Sequence, residues 1–510
     1  MRLRVRLDGG NPRRWHVLML ARIARLPGLA VELDASPGPG GLPPNATLLF
    51  QLEALLHRLP RDGLSAPVAS DAFADYPRPE ASVPDLILDL CGDVPESPGR
   101  PVWRLAFDGA AGEAALLAPL LAARAPTVTI SEAGAVIASG RVGTESIGNS
   151  LLSFEDALSR TTTLLVAALS GARPVLAAGA ASEQAMAAPA ALTVVELGAR
   201  ATRMLAWAIL RRLYHLCFRA PHWRVGWRRL DGPDLFALRA HPATGWRDLP
   251  DDGRRFYADP FGIEHRGRIT LFVEEYPHAT GRAIISAVAF DADGPVGAPE
   301  PVLEEPHHLS YPFVFARDGA HWMVPESCAN GTIDLYRATA FPRGWVKEAT
   351  LVAGVTASDA TLVEHGGRWW MFATVRDEAI APGLVRGSYS DALHLWSAPD
   401  FRGPWTPHAK NPVLVDSASA RPAGRIVARG GRLIRPVQDG RRGYGEALSL
   451  ARIDRLDEGG YAQTVETTLR AGPGWAGNRL HTLNQAGGFE FIDGSGRAPR
   501  LPWRRGSVQS

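Results

Sequence analysis

Asp259-Pro-Phe-Gly-Ile-Glu-His-Arg-Gly-Arg-Ile-Thr-Leu-Phe, ending at Phe272, decides the fold, because the chain repeats its plan four more times. The copies open at Tyr311 (Tyr-Pro-Phe-Val-Phe-Ala-Arg-Asp-Gly-Ala-His-Trp-Met-Val), at Asp359 (Asp-Ala-Thr-Leu-Val-Glu-His-Gly-Gly-Arg-Trp-Trp-Met-Phe), at Arg421 (Arg-Pro-Ala-Gly-Arg-Ile-Val-Ala-Arg-Gly-Gly-Arg-Leu-Ile) and, more loosely, at His481 (His-Thr-Leu-Asn-Gln-Ala-Gly-Gly-Phe-Glu-Phe). Each begins with a polar residue and a Pro, Ala or Thr. An alternating apolar strand, a Gly turn and a second aromatic-rich strand follow. The starts lie roughly 50 to 60 residues apart, the period of radially stacked blades. The expectation is an all-β five-bladed β-propeller over residues 223–495, with Trp223-Arg-Val-Gly-Trp-Arg as the strand that closes the ring.

A lone blade cannot bury both of its faces, so neighbours pack around a central axis. The first strand of each blade starts at that axis. Asp259, Tyr311, Asp359, Arg421 and His481 are therefore expected to share one central pit.

At 510 residues with 46% apolar content the chain has material for more than one hydrophobic core. A formal charge of +2, with arginines dispersed rather than massed, gives no footing for a nucleic-acid partner. Cys91, Cys217 and Cys328 lack metal spacing and fit reduced thiols. The opening Met-Arg-Leu-Arg-Val-Arg-Leu reads as a strand, not a secretion signal. The abundant Ala, Arg, Gly and Pro read as a high-GC bacterial coding bias. A bacterial, cytoplasmic protein is expected, with no cofactor and no metal; the oligomeric state stays open.

Residues 1–175 read as an α/β, Rossmann-like domain. Leu3–Leu7, a helix over about Pro12–Leu26 and a strand at Leu29–Leu33 form a βαβ opening. Asp85-Leu-Ile-Leu-Asp-Leu has the continuous apolar character of a buried parallel strand, and Pro101–Phe107 is a further strand. Residues 126–142 read as a hairpin around Gly134, and a helix over Phe154–Leu169 closes the unit. The layout resembles the formyltransferase-like domain. Active members of that family use an Asn-His pair with a downstream Asp, and no such His lies near Phe107-Asp108-Gly109. The resemblance thus implies a scaffold, with sugar-nucleotide formyl transfer as an alternative that would require tetrahydrofolate binding.

Residues 176–222 read as a linker: an Ala-rich stretch over 177–191, then a helix over 194–218. Arg200, Arg203, Arg211 and Arg212 interrupt its apolar character, so it falls short of the roughly 20 uncharged residues that cross a bilayer. Two readings stay open: an interdomain helix packed on the propeller, or a basic amphipathic helix making peripheral contact with a membrane, at its inner face, through Trp207 and Tyr214. Residues 496–510 read as a disordered tail.

Within the expected pit, Asp259 precedes Pro260, which holds the turn rigid. Asp359 takes the same place in the third blade, and Glu326 ends the second strand of the second. Glu274 and Glu275 compete for the matching place in the first blade. Glycosyl chemistry requires such acids in pairs. Asp at a strand start is also a common turn former, and polar networks at a propeller axis can simply order it. Arg421, Arg425, Arg435 and Asp439 cluster in the fourth blade, where an arginine can clamp an anion or pair with an axial acid. Tyr257, Tyr311 and Trp370 are candidate stacking platforms for a sugar ring, and His481 is a further axial candidate.

Tyr-Ala-Asp-Pro, Ser-Asp-Ala-Thr-Leu-Val-Glu-His-Gly-Gly-Arg-Trp-Trp and Arg-Pro-Val-Gln-Asp together resemble the β-propeller domain at the N-terminus of plant glucosamine inositolphosphorylceramide transferases. That domain is itself similar to the five-bladed family 43 glycoside hydrolases and related fructan-acting enzymes. The hydrolases carry a base Asp, a modulating Asp and an acid Glu, in that order; here the order is Asp259, Glu326, Asp359. The resemblance implies a carbohydrate or glycoconjugate substrate, with Asp259 as base or nucleophile, Glu326 as acid and Asp359 orienting. The alternative is a noncatalytic glycan-binding or scaffold protein.

Overall fold

A computed structural model describes residues 1–39, 41–60, 62–79, 83–177, 191–243, 245–377 and 387–500. Most of the Ala-rich stretch and the tail beyond residue 500 lie outside them.

The N-terminal domain is built on a six-stranded sheet in the order β2-β1-β3-β4-β5-β6: β1 Arg2–Arg6, β2 Ala30–Asp34, β3 Leu86–Asp89, β4 Val102–Phe107, β5 Thr127–Glu132 and β6 Ala135–Arg141. The first four strands run parallel, and β5 and β6 form an antiparallel hairpin. Leu3, Val5 and Leu88 are fully buried in one core with Trp15, Met19 and Leu20 of α1 (Arg14–Ala24). The sequence reading missed α2 (Ala46–His57) and α3 (Glu113–Leu121), the latter carrying Pro119 inside it. It found α4 (Ser150–Leu169), which begins earlier than expected. The cause is capping: Asn149 accepts the Leu152 N–H, and Glu53 of α2 accepts those of Ser150 at 3.1 Å and Leu151 at 2.6 Å.

Five antiparallel sheets follow, each a blade. The first spans Arg255–Leu303, the second Ser310–Ala353, the third Ala357–Val415, the fourth Val427–Arg470. The fifth joins Leu483–Ala486 and Phe489–Ser495 to Trp223–Arg229 and Arg247–Asp248, so the strand from Trp223 closes the ring. Apolar side chains fill the spaces between blades. Tyr257, Val225, Trp227 and Phe491 meet between the fifth and first blades, and Trp370, Phe372 and Ile426 between the third and fourth.

The two domains meet through buried charge. Arg160 of α4 places Nη1 2.9 Å from Asp377 and Nη2 2.9 Å from Asp391, both in the third blade. Ser159 and Thr163 donate to Asp377 at 2.8 and 2.6 Å. Arg141 lies 3.1 Å from Asp416.

Candidate active site at the propeller axis

The opening residues of the first three blades share an unusual backbone. Asp259, Tyr311 and Asp359 have φ of +48°, +43° and +58°, and the strand register slips at each: between Ala258 and Phe261, Ser310 and Phe313, Ser358 and Thr361. A left-handed residue inside a bulge re-aims its side chain out of the ladder, at a cost of about 1–3 kcal/mol that the surroundings must offset. Side-chain carboxylates do so here. Asp493 accepts the Asp259 N–H at 2.8 Å, Asp259 that of Tyr311 at 3.2 Å, and Glu326 that of Asp359 at 3.2 Å. Each acid thus holds the bulge of the next blade.

The opening residues form an upper tier, and the second strands supply a lower one. Glu274 pairs with Ala258, Glu326 with Ser310 and Thr374 with Ser358, in matching register. Gln438 and Asp493 complete that tier in the fourth and fifth blades. Asp359 accepts from Arg421 Nε at 2.6 Å and from Gln438 Nε2 at 3.0 Å. Thr482 donates to Asp259 at 2.9 Å. His481 Nδ1 lies 2.5 Å from Asp493, its Nε2 3.6 Å from Asp259 and 3.1 Å from the Tyr444 hydroxyl, and its ring stacks on Trp223 at 4.3 Å. The Tyr311 hydroxyl crosses the axis, 2.8 Å from Thr361 Oγ1, and accepts the Gly424 N–H at 2.7 Å.

Burial shapes the charge state. Asp259 is 4% exposed and its pKa is pushed up to about 6, first by desolvation and then by the charges of Asp493 and Asp359, with His481 opposing. Glu326, 9% exposed, is pushed up to about 8 by burial and by Asp359, with Arg421 pulling the other way. Glu274 moves well above the carboxylate range for the same primary reason. Burial opposes charge on His481, yet Asp493 and Asp259 raise its pKa above the ordinary value. Burial thus pushes both carboxyls up, Glu326 further than Asp259. Gln438 Oε1 and Thr374 Oγ1 are buried without a hydrogen-bond partner among the described residues, and such orphans mark places where a polar ligand can bind. Asp259, His481 and Asp493 also present donor atoms within 4.8 Å of one another, a set able to hold a cation, but each is already engaged as described.

The axis gathers Asp259, Glu326, Asp359, Tyr311, Arg421 and His481. It does not gather Tyr257, Trp370, Arg435 or Asp439. Tyr257 and Trp370 face between blades, where alternation along the strand puts them. Arg435 is buried against the carbonyls of Ser419 and Ala420 and over the Phe372 ring. Asp439 points away from its neighbour Gln438 and pairs with Arg441 at 2.8 Å. Arg425 is half-buried and donates to the Val314 carbonyl at 2.6 Å. Glu275 pairs with Arg255 at 2.6 Å, away from the axis. Sequence reasoning missed Asp493, Gln438, Thr374, Trp223 and Tyr444. A signal existed for the lower tier: Glu274, Glu326 and Thr374 each follow their blade's opening residue by fifteen positions.

A cleft lies at the ends of β1, β3 and β4, lined by Asp8, Asn11, His16, Cys91 and Glu113. His16 is fully enclosed there, and burial lowers its pKa to about 4.

Residues 249–488 match the family described as Glucosamine inositolphosphorylceramide transferase 1, N-terminal. The chain is 30% identical over 256 residues to the Glucosamine inositolphosphorylceramide transferase 1 of Oryza sativa subsp. japonica, a match covering 48% of this chain and 34% of that protein. It is 31% identical over 247 residues to the Arabidopsis thaliana protein of the same name, covering 46% and 31%. The chain therefore spans about a third of the length of the curated relatives it matches. Among solved structures, Zg3597, a family 117 glycoside hydrolase produced by the marine bacterium Zobellia galactanivorans, aligns with a TM-score of 0.34 at 13% identity, over 54% of this chain and 91% of that one. The GH43_1 enzyme from Xanthomonas citri aligns with a TM-score of 0.36 at 13% identity, over 53% and 94%. The match falls on most of the ring and on less than half of the chain, and over residues 249–488 the chain is similar to the Glucosamine inositolphosphorylceramide transferase 1 N-terminal family.

Proposed function

We propose that the axial pit acts on a glycosidic bond of a carbohydrate or glycoconjugate, by hydrolysis or glycosyl transfer. Glu326 is the proton donor, Asp259 the base or nucleophile, and Asp359, fixed by Arg421 and Gln438, the orienting charge. The observation that carries this reading is the convergence on the axis of two buried carboxyls, Asp259 and Glu326, neither of them within hydrogen-bond distance of an arginine among the described residues, with burial pushing the Glu326 pKa further up than that of Asp259. The orphaned Gln438 and Thr374 oxygens offer a sugar hydroxyl its partners. The names of the plant relatives support the substrate class.

A noncatalytic glycan-binding role is the second reading, favoured by the low exposure of the acids and their internal hydrogen bonds. Nitrophenyl glycosides and nucleotide sugars, assayed with Asp259→Asn and Glu326→Gln alongside calorimetry on the same glycans, separate the two. An enzyme loses about 100-fold or more in turnover while keeping its affinity. A wild-type protein that binds glycans, turns none of them over and loses affinity in Asp259→Asn is a binder.

A further inference from the structure

The helix α5 (Val194–Cys217) stands almost free of the fold. Leu197 is its one buried residue, set in the core of the N-terminal domain, and Arg200 donates to the Leu121 carbonyl at 2.9 Å. At its far end Arg500 donates to the His215 carbonyl at 2.6 Å. Leu197, Ala201, Met204 and His215 thus mark the line that faces the protein. With 100° per residue, the opposite side carries Val195, Leu205, Ile209, Leu210, Leu213 and Leu216, each more than half exposed. Roughly 140° of the circumference there bears no charge at all, the reverse of what a surface helix of a globular domain presents to water.

The edges of this stripe are basic. Arg203 borders one side together with Trp207 and Tyr214, and Arg212 borders the other. The single acid of the helix, Glu196, is spent at its start, accepting the Thr193 N–H at 2.8 Å. A second copy of the helix laid on the stripe would set arginine against arginine along both flanks, whereas paired helices place opposite charges there. An anionic lipid surface complements all three features: aliphatic side chains enter the acyl boundary, Trp207 and Tyr214 sit at the headgroups, and the arginines meet phosphate. None of the described helices is long and apolar enough to cross a membrane.

We infer that α5 lies on an anionic membrane surface and docks the propeller to it with the axial pit close to the bilayer. The chain itself makes the second connection. Directly after α5, Phe218–Arg219 pairs with Ala498–Pro499, His222 reaches His278 at 3.1 Å, and Trp223 stacks on His481 of the axial cluster. Exposed Arg497 and Arg500 widen the basic rim at that end.

Flotation of the full chain with phosphatidylcholine vesicles, with and without phosphatidylglycerol, tests this. The expected result is binding to the anionic vesicles about tenfold or more tighter than to neutral ones, weakened by salt. Ile209→Glu with Leu213→Glu is expected to abolish it while leaving the thermal unfolding midpoint unchanged, since neither side chain touches the core. Should that variant unfold early, Arg203→Gln with Arg212→Gln carries the test, and must lose the preference for anionic vesicles. Failure to float, equal binding to neutral vesicles, or a solution dimer that Ile209→Glu dissociates would each overturn the inference.

Discussion

Arg421 Nε stands 2.6 Å from Asp359 Oδ2, and both residues are more than nine-tenths buried. Arg421 also lies 3.7 Å from Glu326 and over the Tyr444 ring, so one guanidinium serves three blades. Its removal leaves a buried carboxylate without a counter-charge. Arg421→Met is expected to cost about 3–5 kcal/mol, and the double variant with Asp359→Leu much less, because both charges then leave the core together. Urea denaturation across that double-mutant cycle measures the coupling; equal losses in the single and double variants would count against the pair.

The contribution of the axial acids to stability is expected to fall as the pH rises from about 4.5 to about 8. Glu326 ordinarily titrates near 4.5 and here near 8, so across that window the folded protein holds a proton that the unfolded chain has released. Asp259 acts in the same direction between 3.8 and about 6. His481, raised above 6.5, adds stability at low pH that is lost as the pH climbs through its folded value. The melting temperature followed against pH checks this. Glu326→Gln should flatten the decline between pH 6 and 8, and an unaltered slope would remove Glu326 as its source.

Tyr311→Phe keeps the ring, which meets Phe261 edge-on at 4.7 Å, and deletes only the hydroxyl. The buried Gly424 N–H then loses its acceptor, at about 1–3 kcal/mol. Gly424→Ala should cost more. A Cβ there would stand 2.0 Å from the Leu483 carbonyl oxygen, at a φ of +134° that side-chain-bearing residues avoid. Calorimetric unfolding of the two variants gives the order; a Gly424→Ala variant as stable as Tyr311→Phe would contradict the close approach.

Arg160→Met should loosen the two domains from each other. Asp377 and Asp391 would be left facing each other without their cation, and Asp391, already lifted to about 7 by burial, would be driven further up. A loss of about 3–5 kcal/mol is expected, together with faster proteolysis between the domains. Unchanged digestion would mean that Arg141–Asp416 and the apolar contacts suffice.

The ring was legible because its signal is periodic. Five copies at similar spacing survive wide divergence in individual residues, and Asp259, Tyr311 and Asp359 sit at the same bulge in each of three blades. Strand parity was harder to read. In Arg-Pro-Val-Gln-Asp the eye goes to Asp439, yet the alternation of faces sends Gln438 to the axis, one residue earlier. Trp370 was misplaced for the same reason, its ring being packed between blades. Asp493 escaped because the last blade borrows half its strands from residues far upstream, so its own stretch reads as a fragment. The outward apolar stripe of α5 was invisible as such: periodicity reports that a helix has two faces, and only the fold shows which one it turns to solvent.

That borrowed sheet has a consequence for synthesis. Trp223–Arg229 leaves the ribosome more than two hundred residues before Phe489–Ser495, the strand it pairs with. Until then it waits with an open edge, and the circle cannot shut on four blades alone. The nascent chain is therefore most vulnerable to aggregation late in translation, and whatever shields that waiting strand governs how much protein reaches its closed form.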